Sequence, residues 1–141
     1  MKTNELCNCS ILRSSSSKIT SIYDKALSDT GVKVTQYALL KYIYLMNSPN
    51  LNELSATLYQ DRSTLGRNIR ILERMKLVSI NTGKDKRQVQ IMLTNHGTVT
   101  LQEARKAWEL IQKKIEIKLG KKKQEQLIEI LNDIQSIELK L

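Results

Sequence analysis

Residues 61–90, DRSTLGRNIRILERMKLVSINTGKDKRQVQ, change their period midway, the first half repeating at helical spacing and the second alternating. At ~100° per residue, Ser63, Arg67, Arg70 and Arg74 fall in one narrow stripe, with Leu65, Ile69 and Leu72 on roughly the opposite side. One face is built to pack, and the other offers guanidinium groups to something anionic. After Met75 the period becomes two, with Val78 and Ile80 on one arm, Val89, Ile91 and Leu93 on the other, and Asn81-Thr82-Gly83-Lys84-Asp85 as the turn between them. The spacing therefore predicts a helix followed by a two-stranded ribbon with a charged tip. The stretch holds eight basic against three acidic residues, which is +5 of the chain's net +9. A basic helix alone is more often a solvated face than a site, but a basic hairpin directly after it points to a polyanion. An arginine-bearing helix is sized for the major groove of duplex DNA, and a ribbon tip can reach phosphates or the adjoining minor groove.

The residues on the N-terminal side of this stretch supply its scaffold. Leu12, Ile19, Ile22, Tyr23 and Ala26 recur at helical spacing and predict a helix over 11–27 that stops by Gly31. The run Ser14 to Ser17 is weak in helix propensity and could serve as a linker, yet it lies inside the periodic pattern. A second helix, capped by Thr35, carries Leu39, Leu40, Ile43 and Tyr44 as its buried stripe and ends at Asn47-Ser48-Pro49. Asn50 stands three residues before Glu53, which is a capping-box spacing for a short third helix containing Leu54 and Leu58. Tyr59-Gln60-Asp61 then turns into the basic helix, with Asp61 as its N-cap. Two short helices joined by a tight turn, the second one basic and followed by a hairpin, make a winged helix-turn-helix.

On the C-terminal side a helix begins at Thr94, with Ala104, Trp108, Ile111 and Ile115 along one side, and Gly120 interrupts it. In the last helix Leu127, Ile130, Ile134, Ile137 and Leu141 keep spacings of three and four, and Ile128, Leu131 and Leu139 widen the apolar face. A face so apolar needs a cover, either its own domain or a second copy of the chain meeting it together with the first and fifth helices. The second copy is preferred, because a small reader gains from two half-sites. The fold class is thus mainly α with a small two-stranded β-wing. Its expected organisation is an N-terminal segment and dimerisation helix over 1–33, a winged helix-turn-helix over 34–94 and C-terminal dimerisation helices over 95–141.

Composition narrows the classes of function. With 141 residues, 40% hydrophobic and 26% charged, the chain is of ordinary globular make-up, so its positive balance is the informative departure. No apolar run approaches the ~20 residues that span a bilayer, and Met1 to Ser10 lacks the apolar core of a signal peptide, so a cytoplasmic protein with no membrane partner is expected. Cys7 and Cys9 are too few and too close for a disulfide framework and are read as thiols. His96 is the one histidine. No paired carboxylates, phosphate loop or nucleophile with a nearby base can be read, so neither enzyme activity nor a cofactor is expected. A metal site of Cys7, Cys9 and His96 lacks a recognised spacing, and none is assigned. An RNA-binding module using the same basic face is the alternative, although one tryptophan, five tyrosines and no phenylalanine offer few stacking platforms. A purely structural dimeric helical protein would have no use for the arginine stripe.

The winged reader flanked by helices resembles the MarR family of transcriptional regulators over nearly the whole chain. The resemblance is carried by LNELSATLYQDRSTLGRNIRILERMKLV and by DKRQVQIMLTNHG, where Asp85 and Arg87 match a D-x-R wing signature and Leu93, Thr94 and Gly97 an L-T-x-x-G entry to the next helix. It implies a dimer that binds a pseudo-palindromic double-stranded DNA operator and is released by a small effector. It implies that Ser63 to Arg74 form the recognition helix, that Arg87 enters the minor groove and that Asp85 orients nearby arginines. Together with the charge pattern this gives Arg62, Ser63, Thr64, Arg67, Asn68, Arg70, Arg74, Lys84, Asp85, Lys86 and Arg87 as the DNA-binding set. Lys76 stands where many members have glycine, a substitution that costs free energy if the backbone there is left-handed. Cys9 and Tyr23 are spaced as in the family's thiol peroxide sensors, with Val34 where a second tyrosine is expected and Cys7 as a neighbouring thiol. A helix N-terminus lowers a thiol pKa, and it is the thiolate that peroxide oxidises.

Overall fold

The computed structural model describes residues 5–82 and 89–140. Six helices and one two-stranded antiparallel sheet follow in the order α1 (Asn8–Ala26), α2 (Val34–Leu45), α3 (Leu51–Leu58), α4 (Arg62–Arg74), β1 (Val78–Thr82), β2 (Val89–Leu93), α5 (Asn95–Leu119) and α6 (Lys121–Gln135). The chain forms two compact units, Met1–Trp108 and Glu109–Leu141, and the division falls within α5.

In the first unit α1 starts at Asn8, three residues ahead of the expected Ile11, and the serine run lies inside it as regular helix. A short 3-10 turn and Gly31, left-handed at φ 79°, lead to α2. The expected cap, Thr35, is not the cap. The helix begins two residues earlier than that cap would allow, at Val34 with Lys33 as the cap, because Asp24 of α1 accepts a hydrogen bond from the Val34 N–H at 2.8 Å, and the Gln36 side chain accepts one from the Lys33 N–H at 2.9 Å. Two orphan N–H groups of the helix end are satisfied this way, and the first of them ties α1 to α2. Leu39, Leu40 and Ile43 are buried as expected. Tyr37 joins them while Tyr44 is 62% exposed, because Ile43 beside it takes the inward direction in the last turn. Asn47 and Ser48, both left-handed, reverse the chain into the fully buried Pro49.

Asn50 and Glu53 close the capping box reciprocally at 2.9 Å each way, so α3 starts where expected. Tyr59, at φ 53°, ends it, and the Ser55 hydroxyl donates to the Gln60 carbonyl at 2.6 Å to hold the turn. After α4 the Lys76 N–H reaches the Glu73 carbonyl and the Leu77 N–H reaches the Leu72 carbonyl. These are the two bonds of a Schellman end, whose turning residue is usually glycine. Here it is Lys76 with φ 60°.

The sheet pairs Val78 with Leu93, Ile80 with Ile91 and Thr82 with Val89, which places all five expected apolar positions in strands. Asn81 and Thr82, expected in the turn, belong to β1, because backbone pairing runs on to Val89 beyond the apolar alternation. The Ile91 N–H turns away from β1 and donates to the Pro49 carbonyl at 2.9 Å, fastening the wing to the start of α3. Leu27, Leu40, Ile43, Leu54, Leu65, Leu72, Leu77 and Ile91 make up the fully buried centre of this unit. Trp108 closes it at one side, its ring 5.8 Å from that of Tyr37 and under the Lys41 ammonium at 5.0 Å.

The L-T-x-x-G stretch has a local reason. Thr94 donates from its hydroxyl to the Lys76 carbonyl at 2.7 Å and from its N–H to the Leu77 carbonyl at 3.1 Å, while its hydroxyl oxygen accepts from the Gly97 N–H at 2.9 Å. A Cβ on Gly97 would stand 1.9 Å from the Leu77 carbonyl oxygen, so only glycine lets α5 start this close to the end of α4.

In the second unit α5 continues to Leu119, and Gly120, at φ 81°, breaks it as expected. α6 then ends at Gln135, where the Ser136 N–H bonds back to the carbonyls of Asn132 and Asp133. The expected helical stripe through Ile137 and Leu141 is therefore too long. Asn132, Asp133 and Ser136 favour local capping over helix continuation, so Ile137 lies beyond the helix, and Leu141 lies outside the described residues. No residue of α6 is buried, and Leu127, Ile130 and Ile134 keep 42%, 55% and 38% of their surface exposed.

Candidate nucleic-acid interface

The interface starts from Asp61. Its side chain caps α4 by accepting from the Thr64 N–H at 3.0 Å, and it also accepts from the hydroxyls of Ser63 and Thr64, both at 2.7 Å. These bonds, the Ser63 hydroxyl contributing most, hold the Asp61 carboxyl well below the usual carboxylate range. Arg67 in turn donates from Nη2 to the Thr64 hydroxyl oxygen at 3.3 Å. The first turn of α4 is thus a chain of fixed side chains running from a carboxylate to a guanidinium.

Beneath it Leu65, Ile69 and Leu72 are buried. With that face anchored, Ser63, Arg67, Arg70 and Arg74 are all exposed along the other, as the helical stripe requires. Arg62 is exposed but lies off the stripe. With Gly66 and Arg70 it borders a groove of about 570 Å³ floored by Ile69, Ile80 and Ile91 and rimmed on the far side by Asn52 and Thr82. Asn68 does not join the stripe. It is half-buried, and with Gln36, Leu58, Gln60 and Ile71 it lines a cavity of about 180 Å³ between α2, α3 and α4. Helical arithmetic carries the separation, since Asn68 stands some 130° from the centre of the arginine stripe at ~100° per residue. Thr64 is half-buried and committed to Asp61 and Arg67. Lys84, Asp85, Lys86 and Arg87 lie outside the described residues.

Sequence reasoning assigned Asp61 only a capping role. The second role, fixing two hydroxyls, had a signal in the D-x-S-T spacing, where residues two and three past an N-cap carboxylate are within its reach. Asn52 and Thr82 at the groove rim had none, because their meeting depends on how the sheet packs beside α4.

The thiols sit at the other end of this unit's chain. Cys7 is the N-cap of α1 and Cys9 lies in its first turn, both exposed. Hydrogen bonds from the backbone and then the side chain of Ser10, with a further one from the Cys9 backbone, hold the Cys7 thiol below its ordinary value. Cys9 and Tyr23 do not meet within one chain. Both lie on α1, and at ~1.5 Å rise per residue they stand roughly 21 Å apart along its axis. Among the described residues no group of three or more His, Cys, Asp or Glu gathers as a metal site, and no helix is long and apolar enough to cross a membrane.

Neither a family model nor a curated protein matches the chain. Solved structures do. The M. tuberculosis transcriptional regulator MosR in complex with DNA is 28% identical, with a TM-score of 0.82 over 95% of this chain and 100% of that one. The S. aureus MepR–DNA complex is 20% identical, with a TM-score of 0.78 over 95% and 98% of the two chains. Bordetella bronchiseptica BpsR, whose DNA binding is regulated by 6-hydroxynicotinic acid, is 18% identical, with a TM-score of 0.83 over 98% and 99%. The last two likenesses establish the common fold, and the first adds sequence identity along the full length.

Proposed function

We propose, from the premise that this chain is a winged helix-turn-helix protein of the MarR type, that it is a dimeric transcriptional repressor of the cytoplasm, bound to a pseudo-palindromic duplex operator and released by a small effector or by thiol oxidation. One observation carries the reading. Three guanidinium groups, Arg67, Arg70 and Arg74, lie in a row on the exposed face of a helix whose opposite face is buried. A rigid row of arginines on a helix beside a β-ribbon fits a major groove. Residues 34–94 are the reader in this scheme, and the helices of 1–33 and 95–141 join two copies. Arg67 and Arg70 read base edges, Arg62 and Arg74 hold phosphates, and the wing residues Lys84, Lys86 and Arg87, with Asp85 orienting, anchor the neighbouring backbone and minor groove as the family resemblance implies. The likeness to regulators rather than to enzymes supports a binding role without catalysis.

The thiol branch rests on α1. Both thiols are exposed at the start of α1, hydrogen bonds from Ser10 lower the pKa of Cys7, and Cys9 stands two residues on, where the family resemblance places the sensing thiol. Gel shifts on duplex DNA flanking the protein's own gene, with and without peroxide and with single-stranded RNA as competitor, test the reading. Duplex binding that RNA does not displace and that peroxide releases is the expected result. Cys9→Ser should keep the affinity and lose the release, with Cys7→Ser mattering less. Preference for RNA over duplex would transfer the basic face to the RNA-binding alternative.

A further inference from the structure

The clamp on Asp61 fixes more than the helix end. An ionised carboxylate accepts hydrogen bonds and donates none, so the proton in each 2.7 Å contact with Asp61 comes from the hydroxyl of Ser63 or Thr64. The low proton affinity of the carboxyl keeps it ionised throughout the neutral range. A serine hydroxyl has one proton and two lone pairs. With its proton spent inward, the exposed Ser63 turns only lone pairs outward. It cannot donate to a phosphate oxygen, to guanine O6 or N7, or to thymine O4. Thr64 is in the same state, and its oxygen also accepts from Arg67.

Resting on the duplex-binding reading above, we propose that Ser63 is a specificity-determining residue that accepts a hydrogen bond from an exocyclic amino group in the major groove, N4 of cytosine or N6 of adenine, with Asp61 as the positioning residue that imposes this polarity. An unclamped serine at the same place would rotate its proton to suit any base or phosphate. The clamped one discriminates, because facing O4 of thymine or O6 of guanine sets acceptor against acceptor. Through Thr64 the same carboxylate seats Arg67, so the corner of α4 presents an acceptor beside a donor.

The test begins with selection of duplex sites by the parent, followed by affinity measurements on the selected site and on one carrying a base analogue without the amino group, 2-pyrimidinone for cytosine or purine for adenine, at each position in turn. One position should show a loss of roughly three- to tenfold for the parent. Ser63→Ala should bind that analogue and the natural base equally, while other positions keep their preferences. Asp61→Gly retains most of the helix capping but frees both hydroxyls, and it should relax the same position toward guanine or thymine. If the parent selects a site and Ser63→Ala responds to every analogue as the parent does, Ser63 is no reader and the inference falls alone. An Asp61→Gly protein that keeps the parent's preference at that position would show that the clamp does not set the polarity, and would sink the positioning role. A parent that selects no duplex sequence overturns the duplex reading itself, and this inference with it.

Discussion

Lys76 holds a left-handed backbone at φ 60° in the turning position of the Schellman end of α4, with its side chain exposed. A residue with a Cβ pays ~1–2 kcal/mol there, against which glycine loses ~0.5–1 kcal/mol through its freer unfolded chain. Lys76→Gly should therefore stabilise the protein by about 0.5–1 kcal/mol in urea denaturation, whereas Lys76→Ala should gain nothing. Gly97 is the opposite case. A methyl group there meets a backbone carbonyl rather than a yielding side chain, so Gly97→Ala should cost at least ~2 kcal/mol. Equal stability of Gly97→Ala and parent would mean that α5 can back away from Leu77, and the close approach would lose its significance.

The recognition helix is the element whose pH response can be derived. Folding lowers the Asp61 carboxyl below its ordinary 3.8. Its contribution is therefore complete above the unfolded value and is lost as pH falls through the lowered folded one. Asp61→Asn keeps an equally good N-cap that does not titrate. In thermal melts the gap between parent and variant should hold constant above about pH 5 and shift against the parent on further acidification. For the arginine stripe, Arg67→Ala and Arg70→Ala should each cost ~1 to 3 kcal/mol on a selected operator and blur one position, while Arg74→Ala should weaken all duplexes alike and reduce the salt slope by about one unit. Uniform loss for all three would reduce the stripe to a phosphate contact. Helix α4 was legible in the sequence because burial and exposure both follow one period and Asp61 is a strong cap. The α2 start was not, since its cap comes from Asp24 on another helix. The α6 end was misjudged because apolar spacing through Ile137 and Leu139 continues past the point where Asn132, Asp133 and Ser136 close the backbone. In the site, the stripe could be read directly, but the inward placement of Asn68 and the polarity of Ser63 depend on packing and on individual protons, which periodicity does not encode.

For the molecule as a whole, the unburied helices decide the expected assembly. Neither α1 nor α6 buries a single residue in one chain, and Ile117, Ile128 and Ile130 stand 72%, 51% and 55% exposed. Apolar area of this extent is a liability in water unless a partner covers it, and a second copy is the economical cover. Sedimentation at micromolar concentration should give twice the 16.2 kDa of one chain. Ile130→Asp and Ile134→Asp should shift it to a single chain, because an unpaired charge in an apolar interface is costly; a parent that sediments as one chain would remove the dimer from the proposal.

The bond from Ile91 to Pro49 governs how this sheet behaves toward strangers. A two-stranded ribbon offers two open flanks, and an open flank invites strands from other molecules to add on and grow a fibre. On the β2 side the central N–H is already engaged by a residue that has no N–H of its own to return, so the ladder stops there after one rung. A sequence rich in Val, Ile and Leu can thus carry an exposed wing into a crowded cell without recruiting its neighbours, and the buried proline just ahead of the α3 cap serves as the sheet's guard against aggregation.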